Sequence, residues 1–252
     1  MLKKSKQRHY LAKRDKQWQQ ELKAFGASRD EEAIHRLRVA IKKMKAFARF
    51  SKACSGKIAA GDVNLLKKMF RQAGAIRDAG NHLHLLEHFH PAPEFYLQEQ
   101  EQLQSAATQA FIGRIRQYRK QGKKARRRLI ADIHAIRLDC VRDWYAMQLI
   151  GISVLLTASG DQLHKARKQI KDLLYVLGLL PSRLVKELRL DEDYLDQLQE
   201  AIGSWHDAWI VAGAWVGRDL SGSQAILKEC RDKEAAVRAL AGEFYHRAHL
   251  DE

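Results

Sequence analysis

Residues 34–50 read IHRLRVAIKKMKAFARF, and their spacing decides the fold class. Ile34, Leu37, Ile41, Met44 and Ala48 recur at steps of three and four, which predicts one apolar face of an α-helix. A second stripe follows one position later. His35, Arg38, Lys42, Lys45, Arg49 and Lys52 keep the same rhythm with no acid among them, where an ordinary surface helix mixes both signs. At about 1.5 Å per residue this cationic stripe is roughly 25 Å long.

The same periodicity extends in both directions. With only three prolines, Pro91, Pro93 and Pro181, and no strand alternation, the chain is expected to be all-α. Eight helices are predicted, near 8–25, 30–53, 62–89, 94–119, 123–157, 160–179, 191–216 and 223–248. Its 252 residues, 46% of them apolar, can bury a full core. Cys54, Cys140 and Cys230 have no paired spacing, which argues against a disulfide framework or a zinc cluster. The first sixteen residues are basic without an apolar run behind them, so no signal peptide is expected and the protein reads as cytoplasmic. MQLIGISVLLTA, 147–158, is too short to span a bilayer and is expected to be a buried helix.

A net charge of +15 is concentrated in two places. Residues 1–57 hold 17 Lys and Arg against 5 acids, and residues 112–137 hold 10 against 1, whereas 138–252 hold 14 against 18. Such concentration points to a polyanionic partner.

Shifting the chain by 129 positions superposes His35 on His164, Arg38 on Arg167, Ile41 on Ile170 and Lys42 on Lys171 without a gap. The same shift brings Leu66 onto Leu195, Gly74 onto Gly203, Asp78 onto Asp207 and Ala79 onto Ala208. The expectation is an internal duplication: a first four-helix half over 1–121 and a second over 122–252, two tandem bundles related by a pseudo-twofold axis.

HRLRVAIKKMKA (35–46) and LHKARKQIKDLLY (163–175), followed by AGAIRDA (73–79) and IGSWHDA (202–208), resemble the signatures of the CHAD domain, the conserved histidine α-helical domain. This resemblance covers nearly the whole chain, the first 25 residues only as a helix. It implies two helical bundles around a basic groove that binds inorganic polyphosphate, often in bacterial cytoplasm near storage granules, with no cofactor and no catalysis of its own. Polyphosphate contacts are then expected from His35, Arg38, Lys42, Lys45 and Arg49 in the first half and from His164, Arg167, Lys168, Lys171 and Tyr175 in the second. Arg and Lys bind phosphate through charge-assisted hydrogen bonds, and a polymer rewards many of them in a row. His35 and His164 are equally open to a capping or core role. In the second half, Leu174 stands where the family usually has an arginine, and Asp196 stands at the place of Lys67, so the first half is expected to carry most of the anion contact.

Other readings stand beside this one. Asp78 and Asp207 read as structural anchors for a basic residue or an amide near the groove. His206-Asp207 suggests a phosphohydrolase of the HD type, but its repeat partner is Arg77-Asp78, and two isolated carboxylates are thin equipment for metal-assisted hydrolysis. His84 and His88 have the i, i+4 spacing of a metal pair, a spacing that surface histidines also adopt. RIRQYRKQGKKARRR, 114–128, could extend the groove, touch nucleic acid or be solvated, and its single aromatic, Tyr118, gives base stacking little support. The alternatives to polyphosphate are therefore a nucleic-acid-binding protein and a metal-binding phosphohydrolase.

Overall fold

A computed structural model describes residues 1–56, 66–89, 94–216 and 223–249, with 82, 84–89, 215, 216 and 223 described by backbone alone. The described residues form helices α1 (Lys4–Ser28), α2 (Glu31–Ser55), α3 (Lys67–Phe89), α4 (Glu94–Ile112), α5 (Ile115–Ala131), α6 (Leu138–Thr157), α7 (Asp161–Leu177), α8 (Ser182–Leu188), α9 (Glu192–Val216), α10 (Ser223–Ala241) and α11 (Phe244–Arg247). No strand occurs among them, only two isolated bridges, Leu2 with Ile136 and Leu190 with His249. The fold is all-α. Two compact units divide the chain, one of residues 1–84 and 92–140, the other of 85–91 and 141–252.

In the first unit, α1 and α2 are separated by a turn with defined end chemistry. Arg29 takes the left-handed conformation and its N–H returns to the Phe25 carbonyl, which closes α1. Asp30 then caps α2, its carboxylate accepting from the N–H groups of Glu32 and Ala33, and Glu31 and Glu32 add negative charge where the helix dipole favours it. Gly56, at φ 69°, ends α2. The apolar stripe of the opening segment is buried as its spacing predicts: Ile34, Leu37, Ile41, Met44 and Ala48 all lie in the core. Tyr10 of α1 stacks on Phe47 of α2, and Glu21 pairs with Arg36 at 3.0 Å.

The predicted helices 94–119 and 123–157 are both broken. α4 ends at Ile112, and the turn Gly113–Arg114 starts α5, which folds back on α1. Gly122 makes that return possible: a β-carbon there would lie 2.1 Å from the Trp18 ring. Tyr118, Gly122, Ala125 and Leu129 form the buried face of α5, and Phe111 packs edge-on against Phe25. Asp15 is buried beneath α5, where it accepts from Trp18 Nε1 at 3.1 Å and from Gln19 at 2.8 Å and faces Arg126 at 3.4 Å. Burial raises its carboxyl pKa, and Arg126 partly opposes the rise.

The second break, at 132–137, comes from backbone pairing. Leu2 and Ile136 exchange two main-chain hydrogen bonds, of 2.7 and 3.2 Å, and Gln7 Nε2 donates to the carbonyls of Leu2 and His134. An extended segment that buries Ile133 and Ile136 replaces the turn of helix that periodicity suggested.

The second unit is held by the apolar faces of α6, α7, α9 and α10. Tyr145 of α6 donates to the Leu173 carbonyl of α7, Arg238 of α10 donates to the Leu156 carbonyl, and Tyr194 of α9 donates to the Leu240 carbonyl. Part of 147–158 corrects the expectation of a buried helix, since Met147 and Val154 point to solvent, 64% and 65% exposed. The helix bounds repeat at the 129 offset where they can be compared. α4 and α10 both begin and end 129 residues apart, and the two-residue break before α5 recurs before α11.

Candidate polyanion-binding faces

α2 positions its cations by the caps and core contacts that fix its rotation. With Ile34, Leu37, Ile41 and Met44 turned inward, His35, Arg38, Lys42 and Lys45 fall at the half-buried edge of the helix and Arg49 is exposed. Below this edge lies Phe70 of α3. The Arg38 guanidinium sits 4.7 Å and the Lys45 ammonium 4.6 Å from the ring centroid, so one aromatic ring meets two cations. Arg38 Nη1 also donates to the Phe70 carbonyl at 3.3 Å.

The glycine of AGAIRDA explains how Arg38 reaches that carbonyl. A β-carbon on Gly74 would lie 2.3 Å from Arg38 Nη1, so only glycine leaves the path across α3 open. Burial lowers the Arg38 pKa, and Asp78, one helical turn beyond the glycine, works against this by its opposite charge.

α7 repeats this construction. Arg167 Nε donates to the Gln199 carbonyl at 2.9 Å, and a β-carbon on Gly203 would lie 2.6 Å from Arg167 Nη2. Arg38 and Phe70 are thus related as Arg167 and Gln199 are, each pair separated by 32 residues. The doubled motif is, first, a device for laying an arginine over a glycine. A guanidinium has five N–H donors, so one bond to a carbonyl leaves it able to bind an oxyanion.

Beyond the arginine the second face differs. Gln199 is buried where Phe70 provides a ring, and its side chain accepts from Lys171 Nζ at 2.9 Å while donating to Asp196 at 2.8 Å. His164 stacks on His206, ring centroids 3.9 Å apart and planes 18° from parallel, and His206 Nδ1 lies 3.9 Å from Asp207. Lys168 is exposed and Tyr175 half-buried. A cleft of about 1000 Å³ opens at the start of α9, where Asp191, Asp193, Asp196, Glu200 and Glu243 outnumber the cation Arg247 that lines it with His246 and His249, so its net sign disfavours a polyanion.

Several contributors escaped sequence reasoning. Phe70 and Gln199 differ in type, so the repeat carried no signal for them, and His206, singled out in the sequence only as half of an HD-type pair, has Arg77 as its counterpart. Lys43 packs near Arg14 and Lys13 of α1, where burial first and their like charge second lower its pKa. Its only sequence signal is the acid-poor neighbourhood.

The basic run 114–128 is now placed as well. Arg126 is tied to Asp15, Tyr118 is buried against Phe111, and Arg116, Arg119, Lys120, Lys123, Lys124, Arg127 and Arg128 face solvent. Among the described residues no three His, Cys, Asp or Glu side chains converge as a metal site, and no helix is long and apolar enough to cross a membrane. The side chains of His84 and His88 lie outside the described residues.

Comparison with known proteins bears on the fold. No curated protein matches the chain significantly. The fold is similar to the crystal structure of the CHAD domain from the plant Ricinus communis, with a TM-score of 0.65 over 97% of this chain and 86% of that one at 17% identity. Residues 9–111, which carry α1, α2 and the first arginine–glycine pair, match the family model of the CHAD domain. The chain is thus similar to the CHAD domain in sequence over 9–111 and in fold along nearly its whole length.

Proposed function

We propose that this protein binds inorganic polyphosphate through the cationic faces of α2 and α7, without chemistry of its own. The CHAD family is linked to polyphosphate binding. The observation that carries the reading here is the row Arg38, Lys42, Lys45 and Arg49 along α2, two of whose cations rest on one aromatic ring. A ring holds a cation at low entropic cost while leaving its N–H donors for phosphate oxygens. Repetition along one helix edge favours a polymer over a single phosphate. That one polymer runs in a groove shared by both faces is the finer part of the proposal, and binding stoichiometry tests it: one polymer per molecule for a shared groove, two for separate faces.

The test of the reading as a whole is direct. Wild-type protein is expected to bind long-chain polyphosphate with submicromolar affinity that falls steeply with salt, and the Arg38→Glu/Lys42→Glu/Lys45→Glu variant to lose about 100-fold or more, since each reversed contact removes a charge-assisted bond of roughly 1.5–3 kcal/mol. Unchanged affinity in this variant overturns the proposal. A nucleic acid would be the ligand instead if RNA outcompetes polyphosphate at equal phosphate concentration, an outcome the burial of Tyr118 disfavours because no base can stack on it. If the protein serves granule targeting in a cytoplasm, a fluorescent fusion will follow polyphosphate granules and the triple variant will not.

A further inference from the structure

We propose that Cys54 and Cys140 form a reversible disulfide by exchange with a low-molecular-weight disulfide such as oxidised glutathione. Eighty-six residues separate them in sequence, yet the Cys54 Sγ lies 3.4 Å from the Cys140 carbonyl oxygen. From covalent geometry that oxygen is about 2.4 Å from its own α-carbon, which places the Cys140 α-carbon within about 6 Å of the Cys54 sulfur. The Cys54 sulfur is about 2.8 Å from its own α-carbon, so the two α-carbons are at most about 8.6 Å apart, and side-chain rotation with a backbone movement of up to about 2 Å brings them within the roughly 4.4–6.8 Å that a disulfide spans. Both thiols belong to the first unit and both are half-exposed, so a small oxidant reaches them.

The two cysteines have different settings. Cys140 occupies the first turn of α6, three residues after Arg137, whose guanidinium is held by the Asp139 carboxylate at 3.1 Å. The Arg137 pKa is raised first by Asp139 and in smaller part by the Cys140 sulfur, which puts cation and thiol within electrostatic reach of each other. A half-exposed thiol beside a guanidinium is the one that an anionic disulfide such as oxidised glutathione meets first. Cys54 lies in the last turn of α2, where its thiol donates to the Cys140 carbonyl. Cys230 is a built-in control: it is buried, and burial pushes its thiol pKa up.

The chemistry balances in two exchanges. The Cys140 thiolate attacks one sulfur of glutathione disulfide, forming a Cys140–glutathione bond and releasing one glutathione thiolate. Deprotonated Cys54 then attacks the Cys140 sulfur of the mixed disulfide, forming Cys54–Cys140 and releasing the second thiolate. Two protein thiols are oxidised and one glutathione disulfide is reduced to two thiols. The product fastens the end of α2 to the start of α6.

Thiol counting and peptide mapping of the full chain, incubated with excess oxidised glutathione and then acid-quenched, test this. Wild-type protein should keep one of its three thiols and yield a peptide joined through Cys54 and Cys140. Cys54→Ser should stop at a mixed disulfide on Cys140, and Cys140→Ser should react at Cys54 about tenfold more slowly, as expected without the better-placed nucleophile. Retention of all three thiols, joining through Cys230, or glutathione stranded on Cys140 in the wild type overturns the proposal.

Discussion

The α2 and α7 faces share a histidine, an arginine and a lysine at matching positions, but the side chain beneath them differs, Phe70 in the first unit and Gln199 in the second. Phe70 offers its π-face to Arg38 and Lys45 and takes no hydrogen-bond donor from either by its side chain. Gln199 instead accepts from Lys171 and passes the polarity on to Asp196, a residue of the acidic cleft. A lysine donating to an amide oxygen must give up that bond, or share it, before meeting phosphate. The same arginine-over-glycine device therefore stands beside an aromatic ring in one unit and beside an amide already bonded to a lysine and a carboxylate in the other.

Charge reversal on each face separately gives the largest expected contrast. Lys42→Glu/Lys45→Glu should weaken polyphosphate binding about 30-fold or more, whereas Lys168→Glu/Lys171→Glu should weaken it no more than about fivefold, because Lys171 is already bonded within the fold and acids lie close by. Titration of labelled polyphosphate at one salt concentration measures both. Equal losses would show that the second face contributes as much as the first and that the acidic cleft does not bias the protein.

Exchange of the platform residues has a smaller effect and a sharper meaning. Phe70→Gln should lower polyphosphate affinity about three- to tenfold, the worth of roughly 1 kcal/mol of cation–π contact with two cations. Gln199→Phe removes the acceptor of Lys171 and should raise affinity by a few-fold if the lysine becomes available, at a cost in stability because Asp196 loses its amide donor. Binding isotherms read alongside thermal melts separate the two consequences. Loss of affinity in Gln199→Phe would mean that the amide positions Lys171 for the anion rather than holding it back.

The helical class and the inward rotation of α2 were legible because periodicity reports which face is apolar, and Ile34, Leu37, Ile41 and Met44 are indeed the residues that pack. The breaks at 113–114 and 132–137 were not legible. One depends on the fit of Gly122 against Trp18 and the other on backbone pairing of Leu2 with Ile136, contacts made over about 100 and 134 residues that no local window contains. Repetition singled out Arg38, Arg167, Gly74 and Gly203, and the fold shows what joins each arginine to its glycine: a guanidinium lying where a β-carbon would be. Repetition could not point to Phe70, Gln199 or His206, because its signal is sameness and these residues are where the two copies have diverged.

The arginine-over-glycine device can be tested where the two units are most alike, and the expected effects are the smallest. Gly74→Ala puts a methyl group against the Arg38 guanidinium, and Gly203→Ala does the same to Arg167. The obstructing atoms are side-chain ends, which can swing away, so neither variant should unfold. Each gains up to about 1 kcal/mol of helix propensity and loses about as much with the displaced arginine–carbonyl bond, leaving stability nearly unchanged. Binding should still separate them. Arg38 has a second partner in the Phe70 ring and the company of Lys42, Lys45 and Arg49, so its displacement should cost polyphosphate affinity about two- to fourfold. Displacing Arg167, whose carbonyl bond at 2.9 Å is shorter than the 3.3 Å bond of Arg38, should change affinity by less than twofold, since it leaves a face that contributes little. A larger loss from Gly203→Ala than from Gly74→Ala would invert the ranking of the two faces and place the anion chiefly on α7.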